Sequence, residues 1–256
     1  MSKRVTAFIL AFVMLVSAFS VQAFAKGPEY DDYIDEGAKV CDDPSDMLSF
    51  VLARHLEAPI RIVEAKLIED GKETDIYLIG LVGVEMNGKQ VNTIGNAFKS
   101  GFSKPNAYVD LLKEVIKDNI PEGSNIVFCG HSLGGMVAQQ VSADSEVKEN
   151  YNILCTLTAG SPFVVTDEKE GELHRICDKN DIIPYLSVAL VKARNALMNE
   201  RSVEDGGYFF DPDGAHNRSY RREAVWGGYD AVGVKGGGTV ITFDYETLQS
   251  YGYVPA

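Results

Sequence analysis

The sequence is poor in basic residues, and it has only one long apolar run. Its 256 residues hold 24 Lys and Arg against 37 Asp and Glu, which gives a formal net charge of −13. A surface this acidic repels phosphate backbones and anionic lipids, so we expect no nucleic-acid partner and no nonspecific adsorption to anionic membranes. Beyond the N-terminus no segment is long and apolar enough to cross a bilayer, so we expect no transmembrane segment in the mature protein.

The one long apolar run lies at the N-terminus and has the features of an export signal. Lys3 and Arg4 precede an uncharged stretch at 5–19, and Ala23-Phe24-Ala25 supplies the small residues of a cleavage site. A membrane anchor is the alternative, but the run is shorter than a bilayer span. We therefore expect residues 1–25 to be a cleaved signal peptide and the protein to be secreted or exported.

Cysteine and histidine are also scarce, with four residues of each type. Cys129, Cys155 and Cys177 fall inside apolar runs, where a thiol behaves as a small buried hydrophobe. Cys41 lies in a polar segment. This usage excludes a disulfide scaffold; an oxidising compartment would permit a bridge, but the sequence does not assign its pairing. We expect no essential disulfide, no metal site and no cofactor.

Strand-like and helix-like apolar runs alternate along residues 26–256 and predict a single α/β domain. The first expected strand is an edge strand that turns at Asp70-Gly71 into a buried one. The expected strands are 61–69, 75–83, 125–129, 151–159, 172–177 and, as the last, 238–245. The expected helices are 44–57, 105–119, 135–141 and 185–198. This order predicts a mostly parallel central sheet with helices on both faces.

The most informative stretch is Gly130-His131-Ser132-Leu133-Gly134, which directly follows the apolar run at 125–129. A helical pattern comes next, so the predicted order is strand, tight turn and helix. Such a turn lifts a serine hydroxyl above the sheet edge as a nucleophile, and its glycines permit strained backbone angles and close approach. A phosphate-binding loop is the alternative, but no Lys follows the glycines. We therefore predict that Ser132 is the nucleophile.

A serine nucleophile needs a base, and the base needs an orienting carboxylate, in the chain order Ser, acid, His. Of the four histidines, only His216 comes late enough to be that base. The acid should follow the C-terminal end of a strand, where both Asp178 and Asp181 lie. Asp181 is preferred because Ile182-Ile183-Pro184 can anchor its loop. A solvated carboxylate or a helix cap is the alternative for either aspartate.

The oxyanion formed during ester attack needs preorganised backbone N–H donors. The N–H of Leu133, directly after the nucleophile, is the first predicted donor. The second is predicted at Val84, after the early buried strand, with a register that can shift by one residue either way.

Three separated segments together resemble the class-three (fungal-type) lipases of the α/β-hydrolase fold. They are Gly130-His131-Ser132-Leu133-Gly134-Gly135, Asn180-Asp181-Ile182-Ile183-Pro184-Tyr185-Leu186 and Ala215-His216-Asn217-Arg218-Ser219-Tyr220. The resemblance runs from about 75 to 220 and implies that Ser132, Asp181 and His216 form a catalytic triad. Such lipases usually carry a Thr or Ser at the oxyanion strand, where this chain has Val84. Losing a donor of this kind costs about 10²-fold or more in rate.

The resemblance also implies a mobile amphipathic lid in the connection that follows the oxyanion strand. Val91, Ile94, Phe98 and Phe102 are spaced to give that lid an apolar underside. The alternative is that the same residues simply cap the core.

These observations predict a secreted serine carboxylic-ester hydrolase that acts on acyl lipids through an acyl-serine intermediate. The expected partners are an acyl-ester or lipid substrate and a transiently contacted lipid interface. Three alternatives stay open: a phospholipase whose phosphate meets Arg218, Arg221 and Arg222; another hydrolase of the same fold, such as a general esterase, peptidase or thioesterase; and a non-catalytic exported binding protein. For the three arginines, a solvated surface is the alternative.

Overall fold

The structure is a computed structural model that describes residues 38–52, 58–84, 93–101, 104–164, 170–187 and 201–252. The described strands are β1 (Ala38–Cys41), β2 (Ile60–Glu69), β3 (Lys72–Leu81), β4 (Asn125–His131), β5 (Asn152–Ala159), β6 (Glu172–Asp178), β7 (Arg201–Glu204), β8 (Val240–Asp244) and β9 (Gln249–Tyr251). The described helices are α1 (Pro44–Leu52), α2 (Ile94–Gly101), α3 (Ala107–Asn119), α4 (Leu133–Ser142), α5 (Ser145–Asn150), α6 (Pro212–Asn217) and α7 (Glu223–Trp226). Short 3₁₀ turns occupy Ile183–Leu186, Ser219–Arg221 and Tyr245–Thr247.

One sheet holds all the described strands, in the order β1-β8-β2-β3-β4-β5-β6-β7, with β9 also paired to β2. Neighbours from β3 to β7 are parallel. In contrast, β2 is antiparallel to β3, β8 and β9, and β1 is antiparallel to β8. Strands β3 to β9 therefore run in one direction, and β1 and β2 in the other. The carboxyl ends of β4 to β7 consequently lie at one edge of the sheet.

Helices cover both faces of this sheet because successive residues of its strands alternate between two apolar clusters. Ile126 and Phe128 of β4 belong to a first core cluster that includes the apolar sides of α3 and α4. Val127 and Cys129 belong to a second cluster with α1 and Trp226. The predicted α/β class, with a mostly parallel sheet between two helical layers, is confirmed.

Three predictions about the strands need correction. Strand β2 is not an edge strand, because β3 pairs with one of its sides and β8 and β9 with the other. A strand also forms at Ala38–Cys41, where a polar segment was expected, and Cys41 is fully buried there. Finally, β8 is not the last strand, since β9 follows it. In each case the pairing partner lies far away along the chain, where no local pattern signals it.

The cysteines are buried core residues in this fold. All four thiols are free and buried. Burial raises the pKa of Cys177 to about 12, and it also raises the pKa values of Cys41, Cys129 and Cys155. The four side chains are therefore protonated thiols, which pack as hydrophobes and are poor nucleophiles.

Two predictions fall on parts of the chain that the structure does not describe. The proposed signal peptide lies outside the described residues, as does most of the helix expected at 185–198. Among the helices that are described, none combines the length and the apolarity needed to cross a bilayer.

Candidate active site

Ser132 occupies the tight turn between β4 and α4, and its backbone is strained. Its φ of 54° and ψ of −118° lie in a region that residues with a Cβ rarely adopt. The Ser132 N–H donates to the carbonyl of Ala159 at the end of β5, over 2.9 Å. This bond ties the strained turn to the neighbouring strand. The side chain is thereby turned out at the carboxyl edge of the sheet.

Two glycines allow the turn to be this tight. A Cβ on Gly134 would lie 2.1 Å from the carbonyl oxygen of Leu81, and one on Gly130 would lie 2.6 Å from the carbonyl carbon of Gly134. Both obstacles are backbone atoms, which cannot rotate away as a side chain can. The glycines of the motif are therefore required by the packing of α4 against β3 and β4. With the sheet topology, this strand–turn–helix arrangement confirms the α/β-hydrolase fold.

The structure brings Ser132, His216 and Asp181 together. His216 Nε2 lies 3.0 Å from Ser132 Oγ, and His216 Nδ1 lies 2.9 Å from Asp181 Oδ2. Because a carboxylate only accepts hydrogen bonds, the imidazole proton is assigned to Nδ1. Nε2 is then the acceptor of the Ser132 hydroxyl. The three side chains come from the turn after β4, the loop after β6 and helix α6, and Asp181 and His216 are both buried.

Both oxygens of the Asp181 carboxylate are engaged, which fixes its orientation. Oδ1 accepts the N–H of Ile183 over 2.9 Å, and Oδ2 accepts the hydroxyl of Tyr220 over 2.7 Å as well as His216. Burial, followed by the nearby charge of Asp181, raises the pKa of Tyr220 well above its usual value. Tyr220 therefore stays protonated and acts as a donor. Sequence reasoning missed this residue, although it ends the third segment of the family resemblance.

Asp178, the other candidate for the acid, has a different place in the structure. Its carboxylate accepts the N–H groups of Asn180 and Gly206, over 2.7 and 2.9 Å. Its backbone N–H donates to the hydroxyl of Tyr220 over 3.0 Å. Asp178 therefore shapes the loops around the site, while Asp181 contacts the imidazole.

His131 is a second residue of this site that sequence reasoning missed. Its Nε2 lies 2.7 Å from the backbone oxygen of His216, and the two imidazole rings are 4.7 Å apart. Since a carbonyl only accepts, Nε2 of His131 carries the proton. Burial, helped by the neighbouring His216, lowers the pKa of His131 to about 3. His131 is thus a neutral donor that holds the backbone of His216.

His216 itself lies on α6, a short helix that the sequence did not predict. The side chain of Asp211 caps α6 by accepting the N–H of Gly214 over 2.9 Å. The same carboxylate pairs with Arg218 just beyond the other end of the helix. Asp211 therefore fixes both ends of the helix that carries His216.

The structure gives the two predicted oxyanion donors different positions relative to Ser132. Leu133 is the first residue of α4, and the first N–H groups of a helix have no acceptor within it. The end of β3 reaches Ser132 through Gly83, where an added Cβ would lie 3.0 Å from the Cβ of Ser132. Val84 follows directly and packs against the first core cluster. Gly83, one position before the predicted donor Val84, is thus the residue that lies against Ser132.

The segment around this site matches a known family. Residues 74–191 match the family profile described as Lipase (class 3). Over these residues the chain is similar to class 3 lipases. The match includes Ser132 and Asp181, and it ends before His216.

Parts of the chain are also similar to solved structures of Lip2 lipase from Yarrowia lipolytica. One, determined at 1.7 Å resolution, is 26% identical over 29% of this chain and 30% of its own, with a TM-score of 0.20. The other, the nonglycosylated lipase, is 15% identical over 51% of this chain and 62% of its own, with a TM-score of 0.26. The chain thus spans less than two thirds of either relative.

The region in which a lid was expected contains α2. Val91 and Phe102 lie outside the described residues, whereas Ile94 and Phe98 fall within the helix. Ala97 of α2 is buried in the first core cluster. Nearby, the Ser100 hydroxyl accepts the side-chain amide of Asn106, over 2.9 Å. The described side chains of α2 therefore include several that pack inward.

The arginines after His216 hold the loop that precedes α6. Arg218 lies 5.4 Å and Arg222 4.8 Å from the centre of the Tyr208 ring. Arg218 also pairs with Asp211, and Arg222 donates to the carbonyl of Gly206. These contacts secure residues 205–211 against α6.

Within the described ranges, no group of three His, Cys, Asp or Glu side chains is arranged to hold a metal ion.

Proposed function

We propose that this protein is an exported serine hydrolase that cleaves acyl-lipid esters, as a lipase does, through an acyl-serine intermediate on Ser132. The observation that carries the proposal is the pair of contacts that joins Ser132 to His216 and His216 to Asp181, at 3.0 and 2.9 Å. The family match over residues 74–191 supports a lipid ester as the substrate. The apolar run and cleavage pattern of residues 1–25 support export.

In the first step Ser132 Oγ attacks the ester carbonyl carbon while His216 Nε2 takes the hydroxyl proton. Asp181 stabilises the imidazolium that forms. The tetrahedral intermediate then collapses, the bond from carbon to the alcohol oxygen breaks, and His216 returns the proton to the leaving alcohol. The acyl group stays on Ser132 as an ester.

In the second step water takes the place of the alcohol. His216 accepts a proton from the water, whose oxygen attacks the acyl carbon. Collapse of this second intermediate releases the fatty acid, and His216 reprotonates Ser132. In both steps the backbone N–H groups of Leu133 and Val84 are the proposed donors to the oxyanion.

Among the alternatives, a phospholipase is less favoured by the described contacts. A phosphate group would have to compete for Arg218 with Asp211, and both Arg218 and Arg222 already lie against Tyr208. A comparison of phosphatidylcholine with a triglyceride as substrate separates the two functions. A non-catalytic binding protein is disfavoured because His216 lies at hydrogen-bonding distance from both Ser132 and Asp181. Binding alone does not require this arrangement.

The test is the Ser132→Ala variant of the exported protein. We expect wild-type protein to hydrolyse p-nitrophenyl butyrate and the variant to lose about 10⁵-fold or more in kcat, as when the nucleophile of a triad is removed. A fluorophosphonate probe should label the wild type alone. The matched control is Ser145→Ala, the same change at an exposed serine, which should leave the rate unaltered. Full activity in Ser132→Ala, or a wild type inert to both reagents, would contradict the proposal.

A further inference from the structure

An aromatic pair projects into solvent from the loop at 205–211. Phe209 is 71% exposed and Phe210 is 92% exposed, the highest values for large apolar side chains in the described part of the chain. Their ring centres are 4.6 Å apart, with the planes perpendicular, which is a favourable aromatic contact. Two adjacent phenylalanines held together in water create a local apolar patch that neither core cluster covers.

This aromatic pair lies at the same edge of the sheet as the catalytic site. Its loop begins at the carboxyl end of β7, which is next to the end of β6, where Asp181 follows, and at the same edge as the end of β4, where Ser132 follows. The loop then leads directly into α6, which carries His216. Tyr208, the residue before the pair, packs on this helix, since a Cβ on Gly214 would lie 2.3 Å from its ring.

The loop is fixed at both ends, so the pair is presented on a rigid base. Asp178 accepts the N–H of Gly206 over 2.9 Å, and Arg222 donates to the carbonyl of the same residue. Tyr208 lies between Arg218 and Arg222, and Arg218 pairs with Asp211. A ligand that contacts the pair therefore does not have to order the loop first, which lowers the cost of binding.

The size and chemistry of the patch favour a lipid surface over a protein partner. Two phenylalanine side chains offer roughly 400 Å² of surface, about half of the 800 Å² that each partner buries in a stable protein interface. Aromatic side chains are favoured at the boundary between a lipid layer and water. The net charge of −13 argues against attraction to anionic lipids, so a lipid layer without net charge is the fitting partner.

We infer that Phe209 and Phe210 insert into the surface of an uncharged or zwitterionic lipid layer and hold the catalytic edge of the sheet against it. This inference rests on the proposed lipid-ester function, which it extends by naming the surface that meets the substrate phase.

The first experiment measures binding to phosphatidylcholine vesicles by flotation, with all proteins in a Ser132→Ala background so that no lipid is hydrolysed. Replacing both phenylalanines by serine should weaken the apparent affinity about 100-fold, since burial of each ring contributes tenfold or more. The matched control is Val40→Ser, which removes an exposed apolar side chain (61% exposed) from β1, at the opposite side of the sheet. That control should bind as the parent does.

A conservative variant gives a spectroscopic signal of insertion. Phe210→Trp keeps an aromatic ring at the position and should keep vesicle affinity within about threefold. Its fluorescence should shift to shorter wavelengths when vesicles are added, because the ring leaves water. The native Trp226 is fully buried, so its emission should stay constant. An unchanged emission from the new tryptophan would overturn the proposal.

Activity measurements separate this inference from the proposed function. With Ser132 intact, the double serine variant should hydrolyse dissolved p-nitrophenyl acetate within about twofold of wild type, and a triolein emulsion at least tenfold more slowly. If wild type is inert on both esters, the proposed function fails while the vesicle assay still tests the anchor. Equal vesicle binding by parent and double variant would overturn the anchor alone. The anchor would also be overturned if the substitutions abolished self-association in sedimentation but left vesicle binding intact.

Discussion

The segment that presents Ser132 and the segment that presents His216 reach the same site by different physical means. Ser132 lies in a turn whose strand and helix are consecutive in the chain, and Gly130 and Gly134 make the turn possible by leaving space for backbone. His216 lies on a six-residue helix, which is too short to be stable by itself. Its position depends on bonds to residues far along the chain.

Those distant partners form a polar network around the base. His131 donates to the backbone of His216, Asp181 accepts from its ring, and Tyr220 donates to Asp181. Ser132 is therefore fixed by steric packing and His216 by hydrogen bonds. We expect the Ser132 turn to be sensitive to added volume, and the His216 segment to the loss of single donors or acceptors.

The largest effect is expected when the hydrogen-bond partner of the His216 ring is changed. Asp181→Asn keeps the size of the side chain but removes the charge that stabilises the imidazolium and selects the imidazole tautomer. We expect kcat for p-nitrophenyl butyrate to fall by about 10⁴-fold, the scale found for the buried carboxylate of other triads. Asp213→Asn, in the same helix as His216 but bonded to Asn217, is the control and should stay within about threefold. Equal losses in both variants would contradict the assignment of Asp181.

The second-largest effect is expected when volume is added to the turn that carries Ser132. Gly134→Ala places a Cβ 2.1 Å from the carbonyl oxygen of Leu81, so α4 must move away from β3. We expect the free energy of unfolding, measured by urea denaturation, to fall by about 3 kcal/mol or more. Gly228→Ala has no atom within 4 Å of the new Cβ and should leave stability nearly unchanged. If the two variants are equally stable, the turn is not limited by volume.

A smaller effect is expected when His216 loses the donor to its backbone carbonyl and keeps the partners of its ring. His131→Phe retains a buried ring but leaves the backbone carbonyl of His216 without this donor, at a cost of about 1–3 kcal/mol. We expect kcat to fall about thirtyfold with KM nearly unchanged, because His131 positions His216 and does not contact the substrate. His131→Gln restores an N–H donor and should recover part of the loss. A change confined to stability, with normal kcat, would limit His131 to a packing role.

The smallest effect concerns acid stability. The pKa of His131 is lowered to about 3 in the folded protein, against about 6.5 for an unperturbed histidine. Between these values the unfolded chain binds a proton that the folded chain does not, so this residue makes stability fall as the pH falls. From pH 7 to pH 5.5 its contribution amounts to about 1 kcal/mol. Urea denaturation at both pH values should show a smaller decrease for His131→Phe than for wild type; parallel decreases would contradict the lowered pKa.

Features that depend on neighbouring residues could be predicted from the sequence. The turn at Ser132, the hairpin at Asp70-Gly71 and most strands follow from apolar runs and glycine positions that lie within a few residues of each other. The placement of β2 inside the sheet could not be predicted. It depends on pairing with β8 and β9, which are more than 150 residues away in the chain and are joined to β2 only by the fold.

In the site, too, local sequence predicts some features and contacts between distant segments determine the others. Chain order and strand ends limited the acid to Asp178 or Asp181, but only the fold shows which of them reaches His216. His131 and Tyr220 lie inside the recognised motifs, yet their partners belong to other segments. Local sequence thus predicts which residues are candidates, while hydrogen-bond partners emerge only when distant segments meet.

The burial of all four thiols has a consequence for the folded chain in an oxidising medium. While the core is closed, oxidants and alkylating reagents have no thiol to reach, so the cysteines of the native protein do not react with them. Three of the thiols belong to one cluster, and opening it would expose them side by side to crosslinking. In an oxidising medium each unfolding event would then tend to become permanent, so the lifetime of the protein would be set by the rate at which its core opens.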